Sequence, residues 1–219
     1  MKKPKLKIKC IFLDLDGTIV DSREAYVEAM KAAMTKTGQR TIAIEAVTEI
    51  PKRLEQNLHI DDLIEGVDAQ EFLGAYLDAY YEATVTKAKP VPSIADTLRR
   101  LSKKAKLAVI TMRHVPREKV TEELKRFGLA EYIRDVTTGL DTQKPKPAPE
   151  ALIKCAKKLD VQISECAVVG DSVSDVKAGK AAGAKTVAVL TGIFSREELE
   201  KECPDLILEN VKELPDFLE

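Results

Sequence analysis

Short apolar runs punctuate the chain at Ile8 to Leu13, Leu107 to Thr111, Val136 with its flanks, Cys166 to Gly170, Thr186 to Leu190 and Leu206 to Leu208. Between most of them lie stretches with helical periodicity: Ser93 to Lys104, Pro116 to Phe127, Pro149 to Leu159 and Ser174 to Ala182. Proline at a helix start and glycine just past its end support these assignments, Pro116 with Gly128 in the second stretch and Gly183 after the fourth. Strands that alternate with helices require right-handed crossovers and give a mostly parallel sheet. The expected fold is therefore α/β, with a doubly wound, Rossmann-like core.

Residues 22–88 do not fit this alternation. They are helical in pattern throughout, with expected breaks near Thr37-Gly38, Pro51 and Gly66, and hold no convincing strand. An all-helical block between the first two core strands reads as an inserted cap, so residues 1–21 and 89–219 form the expected core and 22–88 the cap. Leu73, Tyr76, Leu77 and Tyr80 recur at helical spacing and are expected to face the inside of a small bundle. Lys87 to Pro92, with two prolines, is the expected hinge back to the core.

Charge narrows the partners. The 219 residues carry 35 basic and 36 acidic side chains, so there is no bulk pull toward nucleic acid or an anionic membrane, and a small molecule is the expected partner. Cys10, Cys155, Cys166 and Cys203 are scattered without a Cys-x-x-Cys pair and read as reduced thiols. The N-terminal stretch Met1 to Lys7 is basic like the start of a signal peptide, but the apolar run after it is interrupted by Asp14 and Asp16 and has no small-residue cleavage site. No apolar run approaches the roughly 20 residues needed to span a bilayer. A soluble, cytoplasmic protein is expected.

Parallel α/β sheets bind ligands outside the carboxyl ends of their strands. The residues there are Asp14 and Asp16, then Thr111, the segment before Pro147, and Asp171. Three acids, a hydroxyl and a lysine suit an anionic substrate held through a hard cation. Asp14-Leu15-Asp16-Gly17-Thr18 places two carboxylates where a buried strand would otherwise continue, which is costly without a partner. Capping the next helix needs only one acid, and Asp21-Ser22 already supply a cap before Arg23. In Gly170-Asp171-Ser172-Val173-Ser174-Asp175 the two aspartates lie one helical turn apart, either facing one pocket or serving as cap and first-turn acid. Lys144-Pro145-Lys146-Pro147-Ala148-Pro149-Glu150 offers lysines on a stiff backbone, and Thr111 offers a hydroxyl and the amide of Met112 behind it.

With these four elements in this order, the chain resembles the haloacid dehalogenase superfamily, in the phosphoglycolate phosphatase-like branch with an α-helical cap after the first strand. The resemblance implies a phosphatase acting on a small phosphorylated metabolite. Asp14 would be the nucleophile that becomes phosphorylated, and Asp16 the general acid/base. Mg²⁺ would be held by the Asp14 carboxylate, the Asp16 backbone carbonyl and Asp171, with Asp175 behind them fixing the geometry. Thr111, Met112 and a lysine would hold the phosphoryl oxygens. The family's Lys-Pro-x-Pro pattern, followed by an acid, fits from Lys146, which puts Glu150 at the acid's place; from Lys144 that place falls on Ala148. A halide leaves without protonation, so Asp16 argues against a dehalogenase. Two alternatives stay open: a phosphomutase, which uses the same elements, and a receiver-like phospho-acceptor domain, which has no use for a cap or for Asp16. In this fold the cap supplies specificity; its polar candidates are Lys52, Arg53, Asn57 and His59, with His114 on the core.

Overall fold

The computed structural model describes residues 5–219; Met1 to Pro4 of the basic N-terminal stretch lie outside the described residues. In chain order the strands are β1 (Cys10–Leu13), β2 (Val20–Asp21), β3 (Lys89–Pro90), β4 (Lys106–Ile110), β5 (Asp135–Thr137), β6 (Cys166–Gly170), β7 (Lys185–Val189) and β8 (Leu206–Leu208). The helices are α1 (Arg23–Thr37), α2 (Ala46–Glu55), α3 (Ala69–Lys87), α4 (Ile94–Ser102), α5 (Arg117–Arg126), α6 (Glu150–Lys158), α7 (Val173–Ala182) and α8 (Arg196–Lys201). The chain divides into two compact units, one made of the chain up to Ile19 together with Pro90–Glu219, the other of Val20–Lys89.

The first unit is built on a six-stranded sheet in the order β5-β4-β1-β6-β7-β8, every pair parallel. All six expected strands are present, and the doubly wound α/β class holds. The chain moves outward from β1 to β4 and β5, then crosses back to β6 on the other side of β1. That reversal opens a crevice at the carboxyl ends of the central strands. β1 is buried along its whole length. Cys10 and Phe12 pack with Leu152 and Cys155 of α6, while alternation turns Ile11 and Leu13 to the other face, where they are equally buried. α7 ends because Gly183, at φ 81°, takes up the left-handed conformation that closes a helix.

The second unit holds α1 to α3, with α1 packed along α3 and the rings of Tyr26 and Tyr80 stacked 5.3 Å apart. Its details correct two expectations. The inner face of α3 is Phe72, Ala75, Tyr76, Tyr80 and Thr84; Leu73 and Leu77 stand about 100° further round and are only half-buried. Pro51 does not break the chain but lies inside α2. Proline removes one helical hydrogen bond, but both it and Ile50 are buried, and packing of this kind overrides local propensity. The cap before α1 comes from Asp21, whose Oδ1 accepts the Arg23 amide at 3.1 Å, whereas the Ser22 side chain makes no capping bond.

Among the described residues no helix is long and apolar enough to cross a membrane. All four cysteines are free thiols, three of them buried. Within α3 the Tyr76 hydroxyl is buried without a hydrogen-bond partner, and burial pushes its phenol pKa upward. An unsatisfied buried hydroxyl costs about 1–3 kcal/mol. Tyr76→Phe is therefore expected to leave stability unchanged or raise it by about 1 kcal/mol in urea denaturation. A clear loss of stability would show that the hydroxyl is satisfied after all.

Candidate active site

The candidate residues gather near the carboxyl ends of the central strands of the first unit. Asp14 follows β1, and its amide donates to the Val169 carbonyl of β6 at 2.8 Å, so the backbone is still held in the sheet where the carboxylate begins. Asp171 follows β6. Lys146 comes from the Pro-rich loop before α6, is 3% exposed, and donates from Nζ to Asp14 Oδ1 and to Asp175 Oδ1, both at 2.6 Å. Lys144, its neighbour in the same loop, is exposed.

With Asp14, Asp171 and Asp175 all ionised, the one ammonium of Lys146 leaves this pocket two negative charges in excess. Oxygens of Asp14, Asp171 and Asp175 lie within 4.8 Å of one another, a spacing that fits a hard divalent cation. Asp175 is the least available of the three as a ligand. Its Oδ1 is taken by Lys146, and its Oδ2 accepts from Ser172 Oγ at 2.7 Å and from the Ser172 amide at 3.3 Å. Ser172 Oγ in turn accepts the Asp175 amide, completing a capping box at the start of α7. Asp175 is thus the first-turn acid of α7 and also faces the pocket through Lys146, while the N-cap is Ser172 rather than Asp171. Asp171 Oδ1 accepts from Thr18 Oγ1 at 3.0 Å. Gly17 and Gly192 press so closely on the Asp171 carboxylate that a methyl group on either would overlap it.

Asp16 has a different neighbour. Arg113 donates to it from Nε to Oδ2 at 2.7 Å and from Nη2 to Oδ1 at 2.6 Å, a bidentate fork, and from Nη1 to Glu123 Oε2 at 2.5 Å. Asp16, Arg113 and Glu123 are all buried. Thr111 stands at the end of β4, one strand over from β1, with its hydroxyl accepting the Arg113 amide at 3.2 Å. Met112 rests its sulfur 3.8 Å from Ser174 Oγ on α7. His114 is exposed. In the second unit Arg53 is committed to Glu49, Asp62 and the His59 carbonyl, a brace for the loop after α2, while Asn57 and His59 are exposed.

Sequence reasoning passed over Arg113, Glu123, Thr18 and Gly192. The available signal was Glu123, a charged residue one place before buried Leu124 on the apolar face of α5, with buried Val120 one turn earlier. An acid there needs a partner, although the sequence does not say which.

The electrostatics follow from burial. Removal from water is the largest influence on Asp14 and pushes its carboxyl from 3.8 up to about 7; Lys146 pulls it back, and Asp175 and Asp16 push it further up. For Lys146 burial opposes the charge, but Asp14 and Asp175 outweigh it and raise the pKa.

Residues 11–189 match the family described as haloacid dehalogenase-like hydrolase. A phosphoglycolate phosphatase from Pseudomonas fluorescens is 32% identical over 94% of this chain and 78% of its own length. A relative from Caldanaerobacter subterraneus, provisionally named a pyrophosphatase, is 30% identical over 95% of this chain and 94% of its own. Among solved structures, a haloacid dehalogenase-like family hydrolase from Streptococcus pneumoniae superposes with a TM-score of 0.81 at 19% identity, covering 95% of this chain and 97% of that one. The chain belongs to the haloacid dehalogenase-like hydrolases. It is thus an enzyme of a hydrolytic family, and the relatives named here that it matches in sequence carry phosphatase names.

A raised carboxyl pKa has a definite sign. The folded state binds the Asp14 proton more tightly than the unfolded chain, so this group's contribution to stability is full below 3.8 and is lost as pH rises through about 7. A divalent cation needs the ionised carboxylate and competes with that proton. The thermal stabilisation produced by millimolar Mg²⁺ should therefore be largest at pH 8 and shrink on acidification to pH 5.5. Equal shifts at the two pH values would mean that Asp14 holds no proton that the cation must displace.

Proposed function

We propose that this protein is a Mg²⁺-dependent phosphatase of small phosphate monoesters that works through an aspartyl-phosphate on Asp14. The observation that carries the reading is the separate pairing of its two strand-end acids, Asp14 with Lys146 and Asp16 with Arg113. The lysine sets positive charge beside the acid proposed to attack, and the arginine fork fixes the plane of the acid proposed to exchange a proton. The Asp14 carboxylate, the Asp16 carbonyl and Asp171 would hold the ion, with Asp175 fixing Lys146 behind them. When bound, Mg²⁺ supplies the positive charge that lets an anionic nucleophile approach an anionic phosphate.

In the first half, Asp14 attacks phosphorus while the bond to the leaving oxygen breaks, and Asp16 gives that oxygen a proton. In the second, Asp16 takes a proton from water as the water attacks the phosphoryl-aspartate, which frees Asp14 and inorganic phosphate. Lys146, the Thr111 hydroxyl and the Met112 amide steady the phosphoryl oxygens. Phosphoglycolate is the first substrate to try, on the name of the Pseudomonas relative, and pyrophosphate the second. Residues 22–88 act as the cap that selects among substrates.

Steady-state release of phosphate from an activated aryl phosphate tests the core of this reading. Asp14→Asn and Asp16→Asn should each abolish turnover while leaving the far-ultraviolet spectrum unchanged, and activity close to that of the parent in either variant sinks the mechanism. Lys146→Ala should lower the rate roughly 100-fold, since removing a preorganised donor to a developing charge costs about 3 kcal/mol. Lys144→Ala should change it little, and the opposite ranking would assign the phosphate to the other lysine. Replacing residues 22–88 by a short linker should leave a folded core with altered substrate preference. Failure of that core to fold would place the block inside the main hydrophobic core.

A further inference from the structure

We infer that Arg113 is the positioning residue for Asp16, with Glu123 holding it in place from behind. The inference deepens the reading above and rests on it, because it concerns the acid that protonates the leaving group.

The geometry is that of a fixed fork. Nε and Nη2 of Arg113 each meet one oxygen of Asp16, at 2.7 and 2.6 Å, so the plane of the carboxylate is set as well as its distance. A carboxylate oxygen can take more than one hydrogen bond, so the fork does not by itself bar Asp16 from a substrate oxygen or a water. The third edge of the guanidinium reaches Glu123 Oε2 at 2.5 Å. Glu123 Oε1 is buried without a partner, so the polar bonding of that side chain is spent on Arg113 alone. An acid placed on the apolar face of α5, between Val120 and Leu124, has no packing reason to be there.

The backbone under Arg113 is fixed as well. Its amide donates to Thr111 Oγ1, and its carbonyl accepts the Gly139 amide at 2.9 Å. A side chain at Gly139 would come within 2.9 Å of the Met112 carbonyl oxygen and of His114 Nδ1, so only glycine lets the two loops lie this close. The same Asp16 oxygens must serve the leaving group in one half-reaction and water in the other. A displacement of about 1 Å at such a group costs roughly 100-fold in rate. A lysine would neutralise Asp16 without fixing its plane; the fork does both.

The test is the dependence of kcat/KM on leaving-group basicity, across aryl and alkyl phosphates at saturating Mg²⁺. This quantity reports phosphoenzyme formation, the step in which the leaving oxygen takes its proton; for Asp16→Asn, which does not turn over, the single-turnover rate replaces it. Arg113→Met should lose roughly 100-fold on the most basic leaving groups and under about 10-fold on the most acidic, steepening the dependence as Asp16→Asn does. Arg113→Lys should keep the steepened dependence although the charge is restored, and Glu123→Gln should show the same trend more weakly, about 10-fold at the basic end.

A uniform loss across the series in Arg113→Met, or full recovery in Arg113→Lys, overturns the inference and leaves Arg113 as a buried counter-charge. If Arg113→Met does not fold, the Lys and Gln variants decide on the same criterion. A flat dependence in Asp16→Asn itself means that Asp16 is not the acid, which is the failure of the underlying mechanism and is distinguishable from failure of the positioning role.

Discussion

Negative charge buried at the end of the central strand is the constraint on which the rest of this site depends. Asp14 leaves β1 while its amide is still bonded to β6, with β4 on the other side, so its carboxylate starts inside the sheet's crevice. Asp171 emerges from the adjacent strand into the same space, and Asp175 from the first turn of α7. Isolated carboxylates in such a place would take up protons or disrupt the fold. The loop before α6 meets this need with a lysine whose side chain is almost wholly buried. The capping box at α7 holds the carboxylate that shares that lysine.

The two strand-end acids are neutralised in chemically different ways, and the difference suits the roles proposed for them. Lysine presents a compact point charge, here divided between two carboxylates, and it constrains distance more than orientation. That suffices for a nucleophile whose approach depends chiefly on charge. Arginine presents a planar fork, and a carboxylate gripped by both of its oxygens has a defined plane. A proton donor and acceptor that must meet two different oxygens in turn depends on that plane. Thr111 follows β4, the strand beside β1, and its hydroxyl fixes the backbone of Arg113.

Much of this was legible in the sequence, for local reasons. Six strands were visible as apolar runs because strands of a sheet covered on both faces carry few polar residues. Asp14, Asp16 and Asp171 stood out by interrupting or ending such runs, and the prolines around Lys146 marked a rigid loop. What stayed hidden depended on distance in three dimensions. Arg113 and Glu123 are ten residues apart on a loop and a helix, and their partner Asp16 lies 97 residues before Arg113. Gly192 looked like any loop glycine, because nothing local records that Asp171 lies against it. The one-residue shift of the α3 face has the same origin: Leu73 and Phe72 are equally apolar, and only the packed partner α1 decides which of them turns inward. Pro51 misled for the complementary reason, since a local rule was overridden by burial.

The site also shows how stability and chemistry oppose each other in one unit. An apolar residue at Asp14 or Asp171 would extend strands that are otherwise buried hydrophobic runs, and replacing a buried ion pair with well-packed apolar groups is often neutral or stabilising. The polar cluster is therefore not explained by the needs of the fold. Its surplus of negative charge stands against the stability of the first unit whenever Asp14 is ionised. A ligand that binds only the folded state returns that stability by mass action. A divalent cation placed among these oxygens would remove the charge surplus and the destabilisation together. The charge surplus that costs the first unit stability is the same feature that suits these oxygens to a divalent cation.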